Sequence, residues 1–219
     1  KWAELAYGAD QAQVLAGIDQ LYELDGRIDE GEFIVTCKDG SKRIWEFSST
    51  PLGQLPDGRR GVISIAVDST ERRQAEKQLH LQSIALNAAA NGIVIIDIDG
   101  NVEWANPAFS RLTGYSLSEA LGKNPRDLVK SGVHDKAFYT KLWRTILSGN
   151  VWRGELINKR KNGELYYEEE AITPVWNEAG IMTHFIAIKQ DITQRKQVEK
   201  EREQLLEQVQ QQAEQMNQI

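Results

Sequence analysis

Cysteine is nearly absent from the sequence: Cys37 stands alone among 219 residues, beside five prolines and three histidines. One thiol cannot close an internal disulfide or build a cysteine-rich zinc or iron–sulfur site, and it suits a reducing compartment. Positive charge is in deficit, with 26 Lys+Arg against 32 Asp+Glu and a formal charge of −6. No bulk positive field gathers phosphates, so nucleic acid is not an expected partner. Long apolar runs are missing as well. The longest, Ile93-Val94-Ile95-Ile96, stops at Asp97, far short of the roughly 18–20 residues that span a bilayer, so no membrane contact and a cytoplasmic location are expected. No Walker-type glycine loop, His-Glu-x-x-His or Gly-x-Ser-x-Gly elbow occurs, and the chain is expected to be non-catalytic. It begins at Lys1 rather than Met, so a longer parent is expected, with any anchor of its own outside this stretch.

What is present is a repeat. Asp39-Gly40-Ser41 and Asn162-Gly163-Glu164 read as hairpin turns, and Gly163 lies 123 positions after Gly40. The same displacement carries Gly31-Glu32 onto Gly154-Glu155 and Thr50-Pro51 onto Thr173-Pro174. It also carries Asp68 and Thr70 onto Asp191 and Thr193, Arg72 onto Arg195, and Glu76-Lys77 onto Glu199-Lys200. Register kept over so many positions marks a tandem of one unit. Only the second copy has the stretch from Gly92 to Lys123, so the first is truncated. The expected division is a partial domain at 1–69 without its amino-terminal strands, a connecting helix at 70–90, a complete domain at 91–192 and a carboxy-terminal coiled-coil signalling helix at 193–219.

In the complete copy, Ile93–Ile98 and Val102–Ala105 flank Asp99-Gly100-Asn101 and read as an antiparallel hairpin. Asn106-Pro107 has an N-cap acceptor followed by proline at the first helical position, and Ser116 to Glu119 has capping-box spacing. Phe138, Leu142 and Ile146 share one face of a longer helix running from His134 to Leu147, which Ser148-Gly149-Asn150 ends. Strands at Trp152–Arg160, Glu164–Val175 and Thr183–Gln190 complete an α+β fold: a five-stranded antiparallel sheet with helices over one face, enclosing a pocket. Trp2 to Leu24 reads as the helical segment of the first copy, with Val14, Ile18 and Leu21 on one stripe.

Asn106-Pro-Ala-Phe109, Thr113-Gly-Tyr-Ser116, Leu121-Gly-Lys-Asn124, Trp152-Arg-Gly-Glu155, Asn158-Lys-Arg-Lys-Asn-Gly163, Thr173-Pro-Val175 and Asp191-Ile-Thr193, in that order, resemble a PAS domain, fully over about 92–193 and in part over 1–70. The resemblance implies a sensory or dimerisation module of a bacterial signalling protein of histidine kinase or diguanylate cyclase type, with a downstream output domain. Both copies end in Asp-x-Thr with an arginine four residues after the aspartate. Asp68, Thr70 and Arg72, like Asp191, Thr193 and Arg195, therefore read as a joint between sheet and helix. The threonines are expected as N-caps, and the aspartates as acceptors for the first turn or partners of the arginines. Val198, Arg202, Leu205, Val209, Gln212, Met216 and Ile219 form a seam at coiled-coil spacing, which points to a homodimer through the connecting and terminal helices.

Trp143 and Asn158 resemble the helix-end tryptophan and strand asparagine that contact FAD in the PAS sensors of nitrogen-fixation and methane-oxidation regulators, and Asn124 joins them as a flavin candidate. An amide both donates to and accepts from the edge of an isoalloxazine. Trp152, Gly154, Leu156 and Asn158 alternate in phase toward one face. The same pair also fits an ordinary core, and a cofactor-free dimerisation spacer is the alternative. PAS photosensors of the LOV class have a cysteine where Pro125 stands, so a cysteinyl–flavin photocycle has no nucleophile. Cys37 is expected as a small buried hydrophobe on a strand. Haem would need an axial histidine; His134 is the one candidate and reads as a solvent-facing first-turn residue. His80 reads as a surface residue of the connecting helix. His184, on the last strand, faces either the pocket or a partner helix. Glu168 and Glu170 share a face that is expected to be solvated, or a charged rim.

Overall fold

The computed structural model describes residues 20–22 and 26–216, with side chains as far as residue 213. Most of the helical segment expected at Trp2 to Leu24, and Ile219 at the end of the seam, lie outside the described residues. The chain forms two compact units, 1–82 and 83–219.

In the first unit, β1 (Ile28–Thr36), β2 (Lys42–Gln54) and β3 (Arg60–Asp68) form an antiparallel meander. The β1–β2 turn places Gly40 at φ +81°, a region that costs an L side chain energy and glycine little. Val35 and Phe47 are buried together, with Trp45 against them. Cys37 is not on a strand: it follows β1, half-buried, and its carbonyl accepts from the Gly40 N–H. The helix α1 (Thr70–Ala88) leaves β3 and buries no residue.

The second unit begins with β4 (Gly92–Asp97) and β5 (Val102–Ala105). Four helices follow: α2 (Pro107–Thr113), α3 (Leu117–Ala120), α4 (Pro125–Val129) and α5 (Lys136–Leu147). It closes with β6 (Trp152–Lys159), β7 (Leu165–Trp176), β8 (Met182–Asp191) and α6 (Thr193–Met216). The strands form one antiparallel sheet in the order β5-β4-β8-β7-β6. Local chemistry explains the helix starts. Asn106, 1% exposed, accepts from the Ile93 and Phe109 N–H groups and donates to the Leu86 and Asn91 carbonyls, so one side chain ties β4, α2 and the end of α1 together. Ser116 and Glu119 form the reciprocal capping box; the Lys161 ammonium first, and then the bonds from Ser116, hold the Glu119 carboxyl at about 2. Helix α5 starts after Asp135 as N-cap, which leaves His134 just outside it.

The repeat is also a repeat of register. Glu32 faces Glu46 as Glu155 faces Glu169, Phe47 faces Ala66 as Glu170 faces Lys189, and Trp45 faces Asp68 as Glu168 faces Asp191. The two exit joints share their backbone hydrogen bonds. Asp68 accepts from the Thr70 N–H at 3.0 Å and Asp191 from Thr193 at 2.9 Å. Neither threonine is the N-cap, however. Each is the first helical residue, and its hydroxyl accepts a backbone N–H from the neighbouring strand: Ile44 to Thr70 at 2.9 Å, Tyr167 to Thr193 at 3.0 Å. The arginine pairing also departs from expectation. Asp68 pairs with Arg43 and Asp191 with Arg160, whereas Arg72 reaches Glu46 and Arg195 reaches Glu155 and Glu169. Arg73 with Glu32 is matched by Lys196 with Glu155. A salt-bridged strand end thus holds each helix start through side chains on three strands. On α6 the seam residues Val198, Leu205 and Val209 are exposed.

Candidate ligand-binding site

A cavity of about 80 Å3, open to solvent at one side, lies in the second unit. The sheet supplies Ile96, Leu156, Asn158, Glu170, Ile172, Ala187 and Lys189; Asn124, Val129, Leu142 and Trp143 come from α4, its cap and α5. Asn124, Trp143 and Asn158, far apart in sequence, therefore converge on one space. Strand alternation sends Trp152, Leu156 and Asn158 inward while Arg153, Glu155 and Lys159 stay exposed. Asn158 is 4% exposed, yet its amide has no hydrogen-bond partner among the described residues. The Tyr139 hydroxyl on the same wall is buried and unpartnered, and burial raises its pKa above that of an ordinary tyrosine. Buried polar groups are nearly always bonded; here the unpartnered Tyr139 hydroxyl and the Asn158 amide, which is not closed off from the cavity, face the same space.

Two glycines shape the walls. Gly100, at φ +89° in the β4–β5 turn, sits so close to the Trp143 ring and the Asn124 amide that a Cβ would come within 2.8 Å of both. Gly154 lies under the Trp152 indole, where a Cβ would meet the ring at 2.6 Å. Trp143 stands edge-on to Phe185, 6.1 Å between centroids. The Asn124 Oδ1 caps α4 by accepting from the Arg126 N–H at 3.0 Å, and Pro125 follows at the first helical position.

The expectation for Glu168 and Glu170 is overturned. They do share a face, but it is the inward one: Glu168 is 0% and Glu170 6% exposed, and Lys189 on β8, 3% exposed, lies between them. The Lys189 Nζ donates to Glu168 at 2.7 Å and to Glu170, and the Tyr166 hydroxyl donates to Glu168 at 3.0 Å. Burial pushes the Glu170 carboxyl above the glutamate range, against the pull of Lys189. Burial also opposes the charge on Lys189, but its pairing with Glu168 and with Glu170 outweighs that and holds the ammonium above the ordinary lysine range. Glu170 and Lys189 line the cavity; Glu168 lies behind them. Charge alone suggested exposure. The one sequence signal for burial was the repeat, because the positions 123 residues earlier hold Trp45, Phe47 and Ala66, with Val35 in place of Asn158.

His134 is not a free axial ligand: its Nε2 accepts from the Ile157 N–H at 2.8 Å and its ring stacks on Phe138 at 4.3 Å. It is half-buried rather than solvent-facing, and it is not among the cavity-lining residues. His184 does not line the cavity and pairs with Glu103 at 2.9 Å. His80 is exposed on α1. Asp68, Thr70 and Arg72 lie in the first joint, and Asp191, Thr193 and Arg195 in the second, outside the cavity. The second joint nonetheless adjoins it through β7: the Tyr167 N–H and C=O are both used by the start of α6, and the next residue is Glu168.

The family described as PAS domain matches residues 90–194. A nitrogen fixation regulatory protein of Klebsiella oxytoca is 43% identical over 105 residues, 48% of this chain and 21% of that protein. A blue-light-activated histidine kinase of Brucella ovis is 35% identical over 95 residues, 43% of this chain and 19% of that protein. The chain thus matches only about a fifth of the length of these relatives. The solved structure of an RNA-binding light-oxygen-voltage receptor superposes with a TM-score of 0.53 at 17% identity, covering 94% of this chain and 89% of that one, a likeness of fold alone. No described helix is long and apolar enough to cross a membrane.

Proposed function

Residues 90–194 belong to the PAS domain family, and from that premise we propose that the chain is the non-catalytic sensory and dimerisation segment of a bacterial signal-transduction protein of histidine kinase or diguanylate cyclase type. The second unit senses through its cavity, and α6 carries the result to an output domain. The observation that supports this most is the double use of β7: Glu170 forms cavity floor, while Tyr167, three residues away, gives both backbone groups to the start of α6. A change of hydrogen bonding at the floor therefore has a short covalent path to the helix.

Flavin, as FAD, is the proposed occupant. The lining suits a planar heterocycle, for which the side chains at the mouth must part: it is largely apolar, Trp143 and Leu142 flank it, and the Asn158 amide offers a donor and an acceptor side by side. Asn158 would hold the imide edge, with Trp143 and Asn124 at the mouth. Bound flavin supplies reversible redox chemistry; the protein's part is to orient the ring and to exclude water. Pro125 stands where a light-sensing cysteinyl pocket needs its thiol, so redox rather than light is the proposed stimulus. The first unit, with Val35, Trp45, Phe47 and Ala66 at the matching positions, fits a related but partial PAS unit that spaces and dimerises. Exposed Val198, Leu205 and Val209 on α6 supply the dimer seam.

Oxidised flavin makes a protein yellow, so the absorption spectrum of the purified chain, before and after adding FAD, tests the cofactor; a colourless protein that takes up no FAD refutes it. Sedimentation equilibrium tests the dimer, and Leu205→Asp is expected to shift it to monomer. Asp191→Ala in the full-length parent tests the joint, since unchanged control of output would remove α6 from the signal path.

A further inference from the structure

Two carboxyls and one ammonium that are all buried cannot all be ionised without leaving a net negative charge, which is costly away from bulk water. The hydrogen bonds indicate which carboxyl is neutral. Both Glu168 oxygens are supplied with donors, Oε1 by Lys189 and Oε2 by the Tyr166 hydroxyl, the arrangement of a carboxylate. Glu170 has one oxygen on Lys189 and no donor on the other, and it lines the cavity. The charged groups around that space are Arg126 and Lys130, on and just past α4, and Lys189 on β8; Tyr139 on α5 faces it neutral.

We propose that Glu170 carries a proton and offers it to the cavity, so that the pocket selects a heterocycle with a hydrogen-bond acceptor against β7 and a donor–acceptor edge toward Asn158. Lys189 reinforces the preference, because Nζ has three protons and the two carboxyls use two. Burial of Glu170 supports the neutral form. The first unit shows that the strands do not require these charges, since Trp45, Phe47 and Ala66 occupy the same register positions. The proposal deepens the flavin reading and rests on the cavity being a ligand site, while the proton on Glu170 is a property of the protein alone.

The test follows from that separation. In the ligand-free chain, the Glu170 side-chain carboxyl carbon, assigned by through-bond NMR, is expected to show the shift of a protonated acid at pH 7, and Glu168 that of a carboxylate. In Glu168→Gln, Glu170 becomes the only counter-ion of Lys189 and is expected to ionise. An ionised Glu170 in the wild-type protein overturns the proposal whatever the cavity binds. Riboflavin titration then separates the two ideas. Glu170→Gln, which keeps a donor, is expected to bind within about threefold of wild type, and Glu170→Leu roughly tenfold more weakly, the worth of one hydrogen bond. Equal binding by Glu170→Leu overturns the acceptor preference. No binding by wild type refutes the flavin reading, with Glu170 judged by its own carbon shift.

Discussion

Replacing Lys189 with methionine removes the one ammonium between two buried carboxyls while nearly keeping the side chain's volume. Breaking a buried ion pair by deleting one partner costs about 3–5 kcal/mol, because the remaining charge is uncompensated. Glu170 already holds a proton, so only Glu168 is left bare, and its Tyr166 hydrogen bond remains; the expected loss is therefore near the lower bound, about 3 kcal/mol. The companion variant replaces all three groups, Glu168→Leu, Glu170→Leu and Lys189→Met. Apolar replacement of a whole buried ionic group ranges from neutral to about 4 kcal/mol stabilising, and the first unit already packs Trp45 and Phe47 at the register positions of Glu168 and Glu170. The triple variant is thus expected to be at least as stable as wild type although it contains the damaging change. Because the chain has two units, a global melting curve mixes two transitions, and the proper readout is hydrogen exchange of Ile172 and Ala187, paired across β7 and β8. The deficit of Lys189→Met should also shrink as pH falls toward the ordinary glutamate value of about 4.3. A carboxyl with a raised folded-state pKa contributes stability below its unfolded value and loses it as pH rises. A single variant within about 0.5 kcal/mol of wild type, the range of an ordinary surface change, or a triple variant as unstable as the single one, would refute the reasoning.

Gly100→Ala is expected to cost about 1–2 kcal/mol for the left-handed backbone alone, with more from the approach to Trp143, and to reduce flavin retention; a stable variant with full retention would show that Trp143 yields freely. Asn106→Ala removes a cap and a partner of four backbone groups, one of them fully buried, and a loss of about 2–4 kcal/mol is expected in denaturant titration. Hydrogen bonds from the Thr70 hydroxyl, Arg43 and the Thr70 N–H hold Asp68 at about 2. Its contribution is present above the ordinary value near 3.9 and fades as pH falls toward 2, so amide protection in the first turn of α1 should decline over that window in wild type and not in Asp68→Asn.

Much of the fold was legible because its signals are local. Gly40, Gly100 and Gly163 mark turns that need positive φ, Asn106 and Ser116 mark caps, and period-two alternation put Asn158 on the cavity face. The two threonines were legible as joint residues but not in their role, since the groups that claim their hydroxyls, the N–H of Ile44 and of Tyr167, lie 26 residues earlier. His134 failed as a free residue for a similar reason: its partner is a backbone amide on β6.

The strand segments, the tandem spacing and the cavity-facing positions of Asn158 and Leu156 follow from the amino-acid pattern alone, through side-chain period, turn chemistry and a fixed repeat spacing. Only the tertiary structure decided that Glu168, Glu170 and Lys189 are interior. A charged residue is buried when a partner arrives across a strand pair, and Lys189 reaches the glutamates through the β7–β8 pairing, 19 and 21 residues along the chain. Local patterning sets where a side chain points, and packing sets what waits for it there.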